Sequence, residues 1–142
     1  MKSYSPLIFF GLILFLIPFT SAHSLEEAIN SKDRSVKNVK RDQYRNPYET
    51  LSFFEIKQDM KVVELSPGGG WYTEILANYI HAPGMLIAAH FDKNSERTFY
   101  VRMRNNFENK INQNPMYKNV SIVNLSSKLA EAETVDAVLT FR

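Results

Sequence analysis

The chain has 142 residues, room for one domain of ordinary size, and its 44% apolar and 23% charged content is a globular mix rather than a disordered one. Lys and Arg number 17 against 15 Asp and Glu, a net charge of +2, which excludes a strongly basic nucleic-acid binder on bulk electrostatics. With no Cys, disulfides, thiolate zinc sites, iron–sulfur clusters and a Cys nucleophile are excluded together.

Lys2 precedes an uncharged run from Leu7 to Phe19, and Thr20-Ser21-Ala22 follows with small residues. A positive start, a short apolar stretch and a small-residue exit describe a secretory signal peptide, residues 1–22, cut after Ala22. The run contains Gly11 and Pro18 and falls short of the roughly 20 residues that span a bilayer, so cleavage is favoured over an uncleaved anchor and no stable membrane span is expected. The mature chain then begins at His23 and is exported, periplasmic or secreted. Ser24 to Lys40 is polar, with Leu25, Ala28 and Ile29 as its clustered apolar groups. Residues 23–45 read as a short helix and a basic linker, weakly packed, with Arg34, Lys37, Lys40 and Arg41 on a solvated face.

Residues 46–142 read as the domain proper. Asn46-Pro47-Tyr48-Glu49 is a helix start, with Asn46 to cap, Pro47 at the first helical position and Glu49 placed for a capping box. Lys61 to Leu65 is a short, β-branched buried strand, and Ser66-Pro67-Gly68-Gly69-Gly70 is the tightest turn signal in the chain. Trp71, Ile75, Leu76, Tyr79 and Ile80 lie at helical spacing, so a helix leaves the glycines directly. Met85 to Phe91 is a second strand. Asn94 or Ser95 is placed to cap a helix with an apolar stripe of Phe99, Met103, Phe107 and Ile111, expected to be core. Val120 to Val123 is a third strand. Ser126 to Thr134 is a polar connection with a helical turn around Leu129, and Asp136 to Phe141 is a fourth strand. Strands alternating with helices specify an α/β fold, a parallel sheet with helices on both faces.

In such a sheet ligands bind beyond the carboxyl ends of the strands. Glu64 ends the first strand, and the glycines let a ligand approach backbone that a Cβ would shield, next to the free N–H groups of a helix start. This outlines a nucleoside-cofactor site. A dinucleotide fingerprint, G-x-G-x-x-G/A, fails because Thr73 stands at the third small position, and a phosphate loop fails because no Lys follows Gly70.

Val62-Val63-Glu64-Leu65-Ser66-Pro67-Gly68-Gly69-Gly70 resembles the first motif of class I S-adenosylmethionine (SAM)-dependent methyltransferases: an apolar strand, an acidic residue and G-x-G-x-G, with Ser66 in place of the first glycine. Arg41 to Pro47 with Glu49-Thr50-Leu51, Pro67 to Glu74 and Ala89-His90-Phe91 look more narrowly like a group of predicted bacterial methyltransferases with signal peptides. Motif order and spacing carry this resemblance over most of the mature chain. It implies a Rossmann-like sheet of the SAM-methyltransferase type, truncated after its fourth strand, with that strand beside the first. It also implies SAM as cofactor, passing over Ser66, Pro67, Gly68, Gly69 and Gly70, with Glu64 behind the loop near the amino-acid moiety. A carboxylate at the end of the second strand takes the ribose hydroxyls in that class. Here His90 holds that position and Asp92 follows two residues later, and His cannot supply a carboxylate's acceptor pair. Ser126 and Ser127 are nearest to where the class places a residue for the adenine amine.

Bland readings stand beside these. His90 alone reads more readily as a structural histidine than as a ligand, Trp71 as a cover for the core or loop, and Tyr44 and Arg45 equally as cofactor covers or as packing and capping residues. No paired His spacing marks a metal site, and no G-x-S-x-G elbow is present. The chain thus reads as the SAM-binding, N-terminal half of a methyltransferase of unknown acceptor, inactive by itself; the alternative is a secreted non-catalytic remnant or binding protein on the same fold.

Overall fold

The computed structural model describes residues 24–125 and 128–141. The expected signal peptide, Ser126 and Ser127 lie outside the described residues. The element order is α1 (Leu25–Ile29), α2 (Val36–Val39), α3 (Asp42–Arg45), α4 (Pro47–Phe53), β1 (Lys61–Leu65), α5 (Trp71–Tyr79), β2 (Met85–His90), α6 (Thr98–Gln113), a 3-10 turn at Pro115–Tyr117, β3 (Val120–Asn124) and β4 (Ala137–Thr140).

The strands form one parallel sheet in the order β3-β2-β1-β4. Val63 pairs with Ile87 on one side and Val138 on the other. Two central strands buried on both faces explain the near-continuous apolar runs Val62-Val63 and Leu86-Ile87-Ala88-Ala89. From β1 the chain moves outward through β2 to β3, then returns to β4 on β1's other side. The carboxyl ends of β1 and β4 therefore flank the point where strand order reverses, the place such sheets bind ligands.

One face of the sheet carries the helices. Val62, Leu86 and Leu139 pack under Leu51, Ile56, Ile75, Leu76 and Ile80, while Ala88 meets Phe107 and Ile111. On the other face Val63, Ile87 and Ala89 are covered by Leu129, Ala130 and Val135 from an irregular segment. The expected helices on both faces, and the helical turn at Leu129, do not form among the described residues. Lys128, Glu131, Glu133 and Thr134 leave that stretch too polar to bury a helical stripe, and Glu133 turns at φ 59°.

Three local expectations are corrected. Asn46 does not cap with its side chain: it sits at φ 42° and ψ 61°, ending α3 and starting α4, whereas a side-chain cap needs an extended backbone. The capping box forms instead at Ser24 and Glu27. Asn94 and Ser95 build the turn before α6 rather than its cap, which is Arg97. Phe99 is half exposed, because positions four apart drift by about 40° around a helix and the series leaves the buried face that holds Phe107 and Ile111. Arg104 takes a place on that face, donating to Phe91 O at 2.9 Å and Asn124 Oδ1 at 2.9 Å and so tying the ends of β2 and β3 together.

Candidate active site: a glycine loop clamped from behind

The loop from β1 to α5 is built on left-handed backbone. Ser66 lies at φ 54°, Gly68 at φ 60° and Gly70 at φ 78°. The Ser66 N–H donates to Ala89 O at 2.9 Å, and the Gly70 N–H donates to Pro67 O at 2.9 Å. A Cβ built on Gly68 or Gly69 meets nothing within 4 Å, so these residues face open space. Gly70 is different: a Cβ there would approach Phe107 Cε2 at 3.0 Å and Thr73 Oγ1 at 3.3 Å.

Two side chains hold the loop from behind. His90 is buried, accepts the Phe91 N–H at Nδ1 (2.8 Å), and therefore donates from Nε2 to Gly68 O at 3.1 Å. Burial holds its pKa below the ordinary value, partly offset by the Gly68 bond, so the ring is the neutral tautomer that this geometry needs. Lys110 reaches from α6 to donate to Gly69 O at 2.9 Å and Gly70 O at 3.3 Å, and pairs with Glu74 Oε1 at 2.7 Å. Glu64, 2% exposed, accepts the Thr73 hydroxyl at 2.6 Å. Burial pushes its carboxyl up to about 7 against the opposing pull of the Thr73 hydrogen bond and the Lys110 charge.

In front of the loop lies a cavity of about 680 Å³, lined by Glu64, Ser66, Pro67, Gly68 and Gly69 from the β1 side and by Trp71, Tyr72 and Phe141. Phe141, just past β4, stacks on Tyr72 with ring centroids 3.5 Å apart, so the switch point between β1 and β4 closes one wall. Of the residues expected to meet a cofactor, Gly70, His90 and Asp92 do not line this cavity. Gly70 and His90 support the loop. Asp92 caps a turn through Asn94 N–H at 2.9 Å.

The opposite wall comes from α2 and α3. Arg34 is 4% exposed, not on a solvated face as expected: it makes a two-pronged pair with Asp42 at 2.7 and 2.9 Å and lies 3.9 Å from Glu74. Glu74 also accepts from the Ser35 N–H and hydroxyl, and Trp71 donates its indole N–H to Asn38 O at 2.7 Å. Glu74 thus joins the N-terminal segment, α5 and Lys110 in one buried network. Sequence reasoning missed Lys110, Glu74 and Arg34. The available signal for Lys110 was its place one turn beyond Phe107 on the same helix face; Arg34 and its partners share no local period. Among the described residues no group of three or more His, Asp or Glu is placed to hold a metal ion, and no helix is long and apolar enough to cross a membrane.

A parallel sheet with β4 beside β1 and a left-handed glycine loop leaving β1 is a Rossmann-like arrangement, similar to the fold of class I SAM-dependent methyltransferases. A crystal structure of a SAM-dependent methyltransferase from Aquifex aeolicus is similar, with a TM-score of 0.55 and 22% identity over 82% of this chain. This chain spans 56% of that protein's length. A cyclopropane-fatty-acyl-phospholipid synthase-like protein from Lactobacillus casei ATCC 334 aligns at a TM-score of 0.48 and 11% identity, over 72% of this chain and 38% of that one. No protein-family model and no curated protein matches the sequence.

Proposed function

We propose that the cavity holds SAM and that this chain is the SAM-binding part of a SAM-dependent methyltransferase. The observation that carries this is the open backbone at Gly68 and Gly69, left-handed at Gly68, set at the strand-order reversal with buried Glu64 behind it. The residues present fit the group. Gly68 and Gly69 offer backbone without side-chain shielding, Glu64 suits the cofactor's ammonium, and Tyr72 and Phe141 offer apolar ring faces to its less polar parts. Both His90 nitrogens are engaged within the protein, so His90 supports the loop and is not a ribose ligand. SAM supplies a methyl group on a sulfonium leaving group; the chain's share is orientation and exclusion of water, which need no acid–base pair.

Calorimetric titration of the folded chain with SAM and with S-adenosylhomocysteine (SAH) tests this. Saturable binding is expected, lost in Gly68→Val. No heat from folded protein, or tighter binding of NAD than of SAM, would overturn it. Export with cleavage after Ala22 belongs to the same proposal; fusing residues through Asn30 to a reporter active only after export should give signal, and a silent fusion refutes it.

A further inference from the structure

We propose that Lys37, Arg41 and Arg45 form an anion subsite at the mouth of the cofactor cavity, and that the methyl acceptor carries a carboxylate or phosphate group bound there. The inference rests on the reading of the cavity as a SAM site and extends it to the second ligand.

The three cations stand four residues apart in sequence, and α2 and α3 bring all of them onto the cavity lining. Lys37 and Arg41 are exposed, as expected of a solvated face, and together with half-buried Arg45 they border one space. The neighbouring carboxylates are committed elsewhere. Asp42 is held by Arg34, and Glu74 by Lys110 and Ser35. None of Lys37, Arg41 and Arg45 forms an ion pair among the described residues. Arg45 lies over the Trp71 ring at 5.1 Å, and its N–H groups make no hydrogen bond among the described residues. A planar fork so placed suits the two oxygens of a carboxylate or phosphate.

The charge balance favours an anionic second ligand. Lys37, Arg41 and Arg45 line the cavity without a paired carboxylate, Lys110 is answered by Glu74, and the carboxylate of Glu64 is turned to Thr73. SAM brings one carboxylate, one ammonium and one sulfonium, so it adds net positive charge to an already cationic space. Its carboxylate can answer at most part of the cationic stripe. An anionic acceptor completes the balance and, by attracting the acceptor into the mouth, raises its local concentration beside the loop.

The test uses inorganic phosphate and succinate as probes, titrated by calorimetry into the full chain with and without saturating SAH. Saturable binding of either probe to the SAH-saturated protein is expected, phosphate and carboxylate acceptors being told apart by which probe binds tighter. K37Q/R41Q/R45Q, shown folded by its circular dichroism, should bind the probe about tenfold or more weakly. K32Q/K93Q/K118Q, which removes the same charge from exposed lysines outside the cavity lining, should bind it normally. The subsite is overturned if neither probe binds saturably, if both triple variants weaken binding equally, or if SAH displaces the probe, since the cations would then serve only the cofactor's own carboxylate. If SAH itself fails to bind while phosphate binds and is lost in K37Q/R41Q/R45Q, the SAM reading falls and the anion subsite stands.

Discussion

Substituting Ala at the glycines of the loop should separate folding from ligand access. At Gly70 the backbone is at φ 78°, where an L side chain costs about 1–2 kcal/mol. The new Cβ would also press on Phe107 Cε2 at 3.0 Å and on the hydroxyl that Glu64 needs at 3.3 Å. Phe107 is 2% exposed and fixed between His90 and Ile111, so it yields poorly, and overpacking of this kind adds about 1–3 kcal/mol. Gly70→Ala should therefore cost about 2–5 kcal/mol, a large share of a small domain's total of about 5–15 kcal/mol. At Gly69 the φ lies outside the left-handed region and the Cβ meets nothing, so Gly69→Ala should leave stability unchanged or raise it by about 0.4–1 kcal/mol through the unfolded chain. Urea denaturation of the two variants beside the parent chain measures both values, and SAH titration of Gly69→Ala reports whether the added methyl obstructs the cavity. Equal stability of Gly70→Ala and Gly69→Ala would refute the described packing behind the loop.

Burial raises Glu64 from 4.5 to about 7, so the folded chain holds a proton that the unfolded chain releases between those values. Its contribution is full below pH 4.5, falls as pH rises through 7, and spans about 3 kcal/mol; subtracting the pH–stability curve of Glu64→Gln should isolate that slope, and superimposable curves would contradict it. Lys110→Met strips Glu74 of its ammonium and two loop carbonyls of their donor, and with Lys110 a quarter exposed the loss should be about 2–3 kcal/mol, partly restored in K110M/E74Q when measured by urea melts. Ser66→Gly relieves a left-handed side chain at φ 54° but loosens the unfolded chain; the net should be a gain of up to about 1 kcal/mol, seen as a raised denaturation midpoint, and a loss would mean that the Ser66 side chain contributes something its backbone geometry does not show.

Periodicity and turn chemistry made most of the framework legible in the sequence. The buried strands Lys61–Leu65 and Met85–His90, the turn at Ser66–Gly70 and the helix leaving it follow from local rules, because apolar runs, glycines and helical spacing act over a few residues. The same rules failed where a choice depended on distant partners. Asn46 has the letters of a cap, but the junction between α3 and α4 takes it left-handed. Phe99 belongs to an apolar series, yet the sheet meets α6 on the face of Phe107 and Arg104.

The sequence by itself determined that a parallel α/β sheet carries a glycine loop at the end of its first strand, since that information is written in neighbouring residues. Only the tertiary structure decided what surrounds that loop. His90 is turned beneath Gly68 as a support, Lys110 crosses from α6 to the loop carbonyls, and Arg34 is buried against Asp42 beside Glu74. Each of these roles depends on bringing together groups from separate elements, so that a buried charge or ring nitrogen finds its partner; packing sets that pairing, and no local pattern in the chain encodes it.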